Sequence, residues 1–269
     1  IDWYDMQACH RREAEVHDRT NGRIYKICYG NSKKSAPVGE LAKMSDLELA
    51  TLTLHANDWY VRHARRNLQE RSAVKQIDQD AITFLNKVLS ENADETRRLR
   101  AAWALHVVGA LKKSQIDGML ADKNAYVRGW AIQLALETGD SRTLLPQLVK
   151  LAHSDESPVT RLYLASAAQK LPLSQRWALV EALTSHSEDA GDHNLPLMYW
   201  YAAEPLADED TGRALALAMS AGENIPLLRE FMLRRIGSGG AESSLAALVG
   251  GLGKADSPKL QLTYLNAIR

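Results

Sequence analysis

From residue 45 onward, apolar and small residues return every three or four positions, in blocks set apart by short polar breaks. That spacing covers one face of an α-helix. It predicts helices over 46–55, 60–69, 78–90, 95–111, 114–120, 126–138, 143–152, 158–170 and 174–185. Further helices are predicted over 195–203, 210–220, 225–236, 242–250 and 258–268. Ser45 with Glu48 makes a capping box, Pro158 suits a first helical turn, and Pro172 and Pro205 stop helices. Residues 187–193 form a polar loop, and Gly237-Ser-Gly-Gly240 reads as a glycine-rich break.

The blocks share a motif. In Asp122-Lys-Asn-Ala-Tyr-Val-Arg128 an Asp precedes a helix start and an Arg follows six residues on. Asp94/Arg100 and Asp155/Arg161 repeat that offset, and Asp58/Arg62 shortens it. The four arginines follow one another at intervals of 38, 28 and 33 residues, a loose period that marks a helical-repeat array. Each Asp can cap a helix and each Arg can reach the Asp of its own or a neighbouring repeat, so a structural ladder is expected. An Arg ladder for an anionic partner is the alternative.

The first 30 residues follow another rhythm. Residues 1–5 and 23–29 alternate apolar with polar and predict two strands. A polar loop over 7–20 and an Asn21-Gly22 turn lie between them. Residues 31–44 read as a linker and 45–269 as the repeat domain. The expected fold is an all-α solenoid of six or seven helix pairs, preceded by a short β-hairpin. The missing initial Met and the end at Arg269 in mid-pattern suggest a piece of a longer protein.

Composition adds exclusions. Lys plus Arg and Asp plus Glu number 33 each, so no net charge favours a nucleic-acid or membrane-surface partner. No apolar run approaches a membrane span, and no signal peptide opens the chain. Cys9 and Cys28 read as reduced thiols, with a disulfide across the loop as the alternative.

Candidate chemistry is sparse. The histidines, His10, His17, His55, His63, His106, His153, His186 and His193, form no HExxH or tight ligand pair. Cys9-His10 with His17 is the densest soft-ligand cluster and reads as a solvated loop. No metal, cofactor or catalytic residue is expected. Trp59, Tyr60, Trp103 and Trp130 recur near the starts of second helices, where packing is the expected role. Asp192-His-Asn-Leu-Pro-Leu-Met-Tyr-Trp-Tyr201 gathers His193, Tyr199, Trp200 and Tyr201, the candidate interface. Asp192 and His193 are the only candidates for an acid or base.

The Asp…Val-Arg…Ala…Leu units over about residues 45–269 resemble the HEAT-like repeats related to those of phycobilisome lyases. A narrower resemblance comes from Asp2-Trp-Tyr-Asp5, Cys9-His10, residues 18–26, Asn57 to Arg65, Pro158 to Pro172 and Asn194 to Tyr201. These runs are similar to the middle of large exported bacterial proteins. Those proteins join a β-propeller like that of pyrroloquinoline-quinone-type sugar dehydrogenases to HEAT-like repeats and a c-type cytochrome domain. The resemblance implies that residues 1–30 close a propeller, that the propeller and cytochrome domains are the partners, and that the location is periplasmic. The expected function is a non-catalytic spacer that offers a surface to a protein partner. The alternatives are a stand-alone peptide-binding solenoid and a lyase- or isomerase-type enzyme with a pocket near Asp192 and His193.

Overall fold

The computed structural model describes residues 2–5, 17–25, 27, 30, 38–139 and 141–269. The chain divides into two compact units, Ile1–Glu40 and Leu41–Arg269. In the first, β1 (Asp2–Asp5) and β2 (His17–Arg23) pair antiparallel, with Asp2 opposite Arg23, Trp3 opposite Gly22 and Asp5 opposite His17. The register slips between Trp3 and Asp5.

The second strand therefore lies earlier than the alternation over 23–29 predicts, and Asn21-Gly22 sits inside it rather than in a turn. Alternation makes a strand only where its apolar face is covered. Here Ile24, Tyr25 and Ile27 are 86%, 59% and 99% exposed, so at these positions neither side is covered. Cys9, Cys28 and His10 lie outside the described residues.

The second unit is an all-α, HEAT-like solenoid. Seven helix pairs succeed one another among its described residues. The first helices of the pairs are α1 (Asp46–Thr51), α3 (Gln79–Glu91), α5 (Lys113–Leu120), α7 (Ser141–Ser154), α9 (Leu173–Leu183), α12 (Thr211–Ala221) and α14 (Glu242–Leu252). The second helices are α2 (Asp58–Ser72), α4 (Glu95–Val107), α6 (Ala125–Thr138), α8 (Pro158–Ala168), α10 (Leu195–Ala203), α13 (Pro226–Ser238) and α15 (Pro258–Ile268). One short extra helix, α11 (Leu206–Glu209), starts directly after Pro205, which the sequence marks only as a stop.

Each second helix packs on its own first helix and on the next second helix. The second-helix layer is thus continuous from α2 to α15. Buried alanines make that close approach workable: Ala101 and Ala104 on α4, Ala131 and Ala135 on α6, Ala165 and Ala168 on α8. Leu85, Leu105, Leu148, Leu164, Leu179 and Leu183 are fully enclosed between the layers, each contributing about 1.5–3 kcal/mol of transfer free energy.

Caps set where the second helices begin. Asn57, Asp94, Asn124 and Ser257 each accept a backbone N–H of their own first turn, and Pro158, Pro226 and Pro258 open helices. The glycine-rich break begins later than Gly237, because α13 runs on through Ser238. A Cβ at Gly237 would meet the Ala267 carbonyl oxygen at 1.9 Å, so the glycine is what lets α15 lie against α13. Among the described residues no helix is long and apolar enough to cross a membrane.

Candidate functional site

The loops ahead of the second helices are built alike. Two residues before each cap, a side chain accepts the cap's backbone N–H: His55 from Asn57 at 2.9 Å, Asn92 from Asp94 at 3.0 Å, Asp122 from Asn124 at 2.8 Å, and Asp155 from Ser157 at 2.9 Å. Four residues after the cap stand Arg98, Arg128 and Arg161. Arg98 donates to the Asn92 and Ala93 carbonyls at 3.0 and 3.2 Å and forks onto Asp122 at 2.9 and 3.1 Å. Arg128 donates to the Asp122 carbonyl at 2.8 Å and forks onto Asp155 at 2.6 and 2.8 Å. Arg161 donates to the Asp155 carbonyl at 2.8 Å and forks onto Asp189, with Nε to Oδ2 at 2.6 Å. Each guanidinium ties the loop of its own repeat to the carboxylate of the next.

The candidate repeat residues fall unevenly on this ladder. Asp122, Arg128, Asp155 and Arg161 are in it. Asp94 is a helix cap, accepting the Arg97 N–H at 3.1 Å, and Asn92 holds the place matching Asp122. Counting six from Asp94 therefore lands on Arg100 instead of Arg98. Arg100 reaches backward, to the His55 carbonyl at 3.2 Å and Asp58 at 3.1 Å. Asp58 and Arg62 form an exposed pair within one helix at 3.0 Å.

In the loop before α10 the two jobs of the carboxylate are split. The 3₁₀ turn Ser187–Gly191 inserts Asp189, which takes the Arg161 fork. Asp192 keeps the other job, accepting the backbone N–H of the cap Asn194 at 2.8 Å and that of Leu195 at 2.9 Å. Those N–H groups hold the Asp192 carboxyl below its ordinary range, so it is ionised and not a proton donor. His193 beside it is exposed.

Tyr199, a candidate for the interface, lies in the core. It is fully buried, and its hydroxyl donates to Asp189. Burial first, and then the Asp189 hydrogen bond, raise its pKa. Its place four residues before Ala203 on the core side of α10 explains the difference: the aromatic run covers both faces of one helix. Trp200 is partly exposed and Tyr201 is 53% exposed.

A second row lies six residues after each cap. From α2 to α13 it reads His63, Arg100, Trp130, Tyr163, Trp200 and Phe231. Trp130 lies edge-on to Trp103 at 4.8 Å and 6.3 Å from Tyr163, and Trp200 lies edge-on to Phe231 at 5.5 Å. Tyr163 owes its place to Gly129, where a Cβ would sit 2.5 Å from the ring. At the α2 end Trp59, half exposed, stacks on His63 at 4.0 Å, and the Arg65 guanidinium lies over Trp103 at 5.3 Å. Tyr126 and Tyr201 add exposed rings. A cavity of about 270 Å³ borders Trp200, Phe231, Arg234, Arg235 and Ser238. The result is a band of partly exposed aromatics with cations at both ends. Sequence reading found Trp59, Trp103, Trp130, Trp200 and Tyr201 but not Tyr126, Tyr163, Phe231 or Arg65. Counting from the caps aligns Tyr163 and Phe231 with Trp130.

Among the described residues no group of three or more His, Cys, Asp or Glu could hold a metal ion.

No protein-family model and no curated protein matches the chain. Among solved structures it is similar to the complex of CpcE and CpcF of phycocyanin lyase from Nostoc sp. PCC7120. Identity is 18% over 89% of this chain and 98% of that one, with a TM-score of 0.40. The finding corrects the expectation of a non-catalytic spacer and of a segment that is no enzyme. The comparisons give no support to the expected propeller, cytochrome domain, dehydrogenase chemistry or export.

Proposed function

We propose that the helical unit binds a partner polypeptide along its aromatic band, and that it does so as the binding part of a lyase-type enzyme. The band is the observation that supports binding. Rings that are partly exposed and held in fixed contact offer a large apolar area at little entropic cost, as protein interfaces do. The likeness to a lyase complex of two chains accords with this reading but is one of fold alone. Reacting groups in such an assembly come from exposed His193 or from the bound partner, since Asp192 is committed to the N–H of the cap Asn194.

A random peptide library displayed against the chain tests the binding half. Peptides should be enriched, and replacing the exposed Trp59 and Tyr126 by Ser should weaken them by about tenfold or more, as for interface aromatics. Failure to enrich any peptide, or binding indifferent to both replacements, rejects the surface. The lyase half is read separately, by mixing the chain with chromophore-free phycocyanin and its free chromophore. Colour that stays with the protein on a denaturing gel supports it, and no coloured product discards it.

The setting between a propeller and a cytochrome domain, and export, rest on the resemblance alone. Propeller blades encoded upstream and a CxxCH downstream support that setting, and flanking DNA without them removes it.

A further inference from the structure

We infer that Arg65 is a vacant anchor for an acidic side chain of the bound polypeptide, so that the partner carries an Asp or Glu where it reaches the Trp103 end of the band. The inference rests on the reading of the aromatic band as a binding surface, and it names the chemistry of the occupant.

The first support is the contrast with the other enclosed arginines. Arg71, Arg98, Arg100, Arg128 and Arg161 each donate to oxygens of the chain. Arg65 is partly buried and lies over the Trp103 ring, and among the described residues no oxygen acceptor stands within hydrogen-bonding distance of it. A guanidinium carries five N–H donors in a fixed fork that matches a carboxylate, and a ring face satisfies none of them.

The second support is the local charge. Asp58 already takes Arg62 at 3.0 Å and Arg100 at 3.1 Å. Three guanidiniums thus share one carboxylate, whose oxygens are occupied by the other two. Burial pushes the Arg65 pKa down, Asp58 pulls it up, and Arg62 and Arg100 add to the fall. A second carboxylate brought to this place meets net positive charge and an unused fork. The ring beneath Arg65 is Trp103, which lies edge-on to Trp130, so the neighbouring residue of the partner has a ring of the band to lie on.

The same surroundings argue for a polypeptide acid over a free anion. A small anion would gain only the fork, whereas an acidic residue in a chain gains the fork together with contact on the rings that continue from Trp103 through Trp130 to Tyr163.

The test takes individual synthetic peptides from the library selection, each beside a version with every Asp and Glu changed to its amide. Binding to the full chain is read by fluorescence anisotropy at about 0.15 M salt, where diffuse attraction is largely screened. The amide versions should bind the native chain about tenfold or more weakly, the scale of a charge-assisted hydrogen bond. That preference should vanish in Arg65→Gln and fall in part in Arg65→Lys, which keeps the charge and loses the fork. Helical circular dichroism checks that both variants are folded; if Arg65→Gln is not, Arg65→Lys decides, an undiminished preference overturning the inference. Peptides that bind equally as acid and amide, or whose preference survives Arg65→Gln, overturn the anchor while leaving the band as a binding surface. A library that yields no peptide overturns the surface and the anchor together.

Discussion

Asp189 accepts both the Arg161 fork and the Tyr199 hydroxyl, with Arg161 and Asp189 side chains only 2% and 3% exposed. Burial costs each charge its hydration, and the fork returns that cost only while both partners remain. Asp189→Asn should therefore destabilise the helical unit by about 3–5 kcal/mol, by leaving a guanidinium enclosed beside a neutral amide. Tyr199→Phe removes one hydrogen bond and leaves the fork, so it should cost only about 1 kcal/mol. Urea unfolding of the two variants checks the order; a Tyr199→Phe loss equal to that of Asp189→Asn would mean the fork contributes little. Nothing in the sequence marks Asp189 out. Glu188, Asp189 and Asp192 all fall near the next step of the loose period, and no Arg follows any of them six residues on, so only the contact with Arg161 singles out Asp189.

Helices were legible where capping chemistry is local. Asn57, Asp94, Asn124 and Ser257 accept backbone N–H groups two or three residues away, and first-turn prolines fix the entry of α8, α13 and α15. α10 runs from Leu195 to Ala203, the span its apolar run predicts. Features that depend on a distant surface were not legible. The strand predicted over 23–29 had no face to bury, and Gly237 reads as a breaker until Ala267 is seen against it. The same distinction separates two glycines as substitution sites. Gly118→Ala adds a Cβ with nothing within 4 Å, inside α5, and should stabilise by roughly 0.5 kcal/mol through backbone entropy. Gly237→Ala places a Cβ against the Ala267 carbonyl and should push α15 away, lowering the melting temperature. Thermal melts of both variants decide it. A stabilising Gly237→Ala would show that α15 does not rely on that approach.

Across the helical unit, contacts run between neighbours in the succession of pairs, and the second-helix layer is unbroken. The repeat period announced this architecture, because each block carries an apolar face that only the next block covers. The aromatic band was legible only in part, since its members line up when counted from the caps and not along the chain. In such a stack, stability is close to a sum of repeat terms and nearest-neighbour interfaces. The Arg128–Asp155 fork is one of those interface terms, joining the α5–α6 pair to the α7–α8 pair. Arg128→Ala removes it and leaves Asp155 nearly enclosed, its side chain 4% exposed, without its main counter-charge. The loss should then stay near the break. Hydrogen exchange should quicken most in α5 to α8 and least in α14 and α15, which share no residue or contact with the fork. A uniform increase from α1 to α15 would show instead one cooperative block, in which an interface between two pairs is felt equally by all of them.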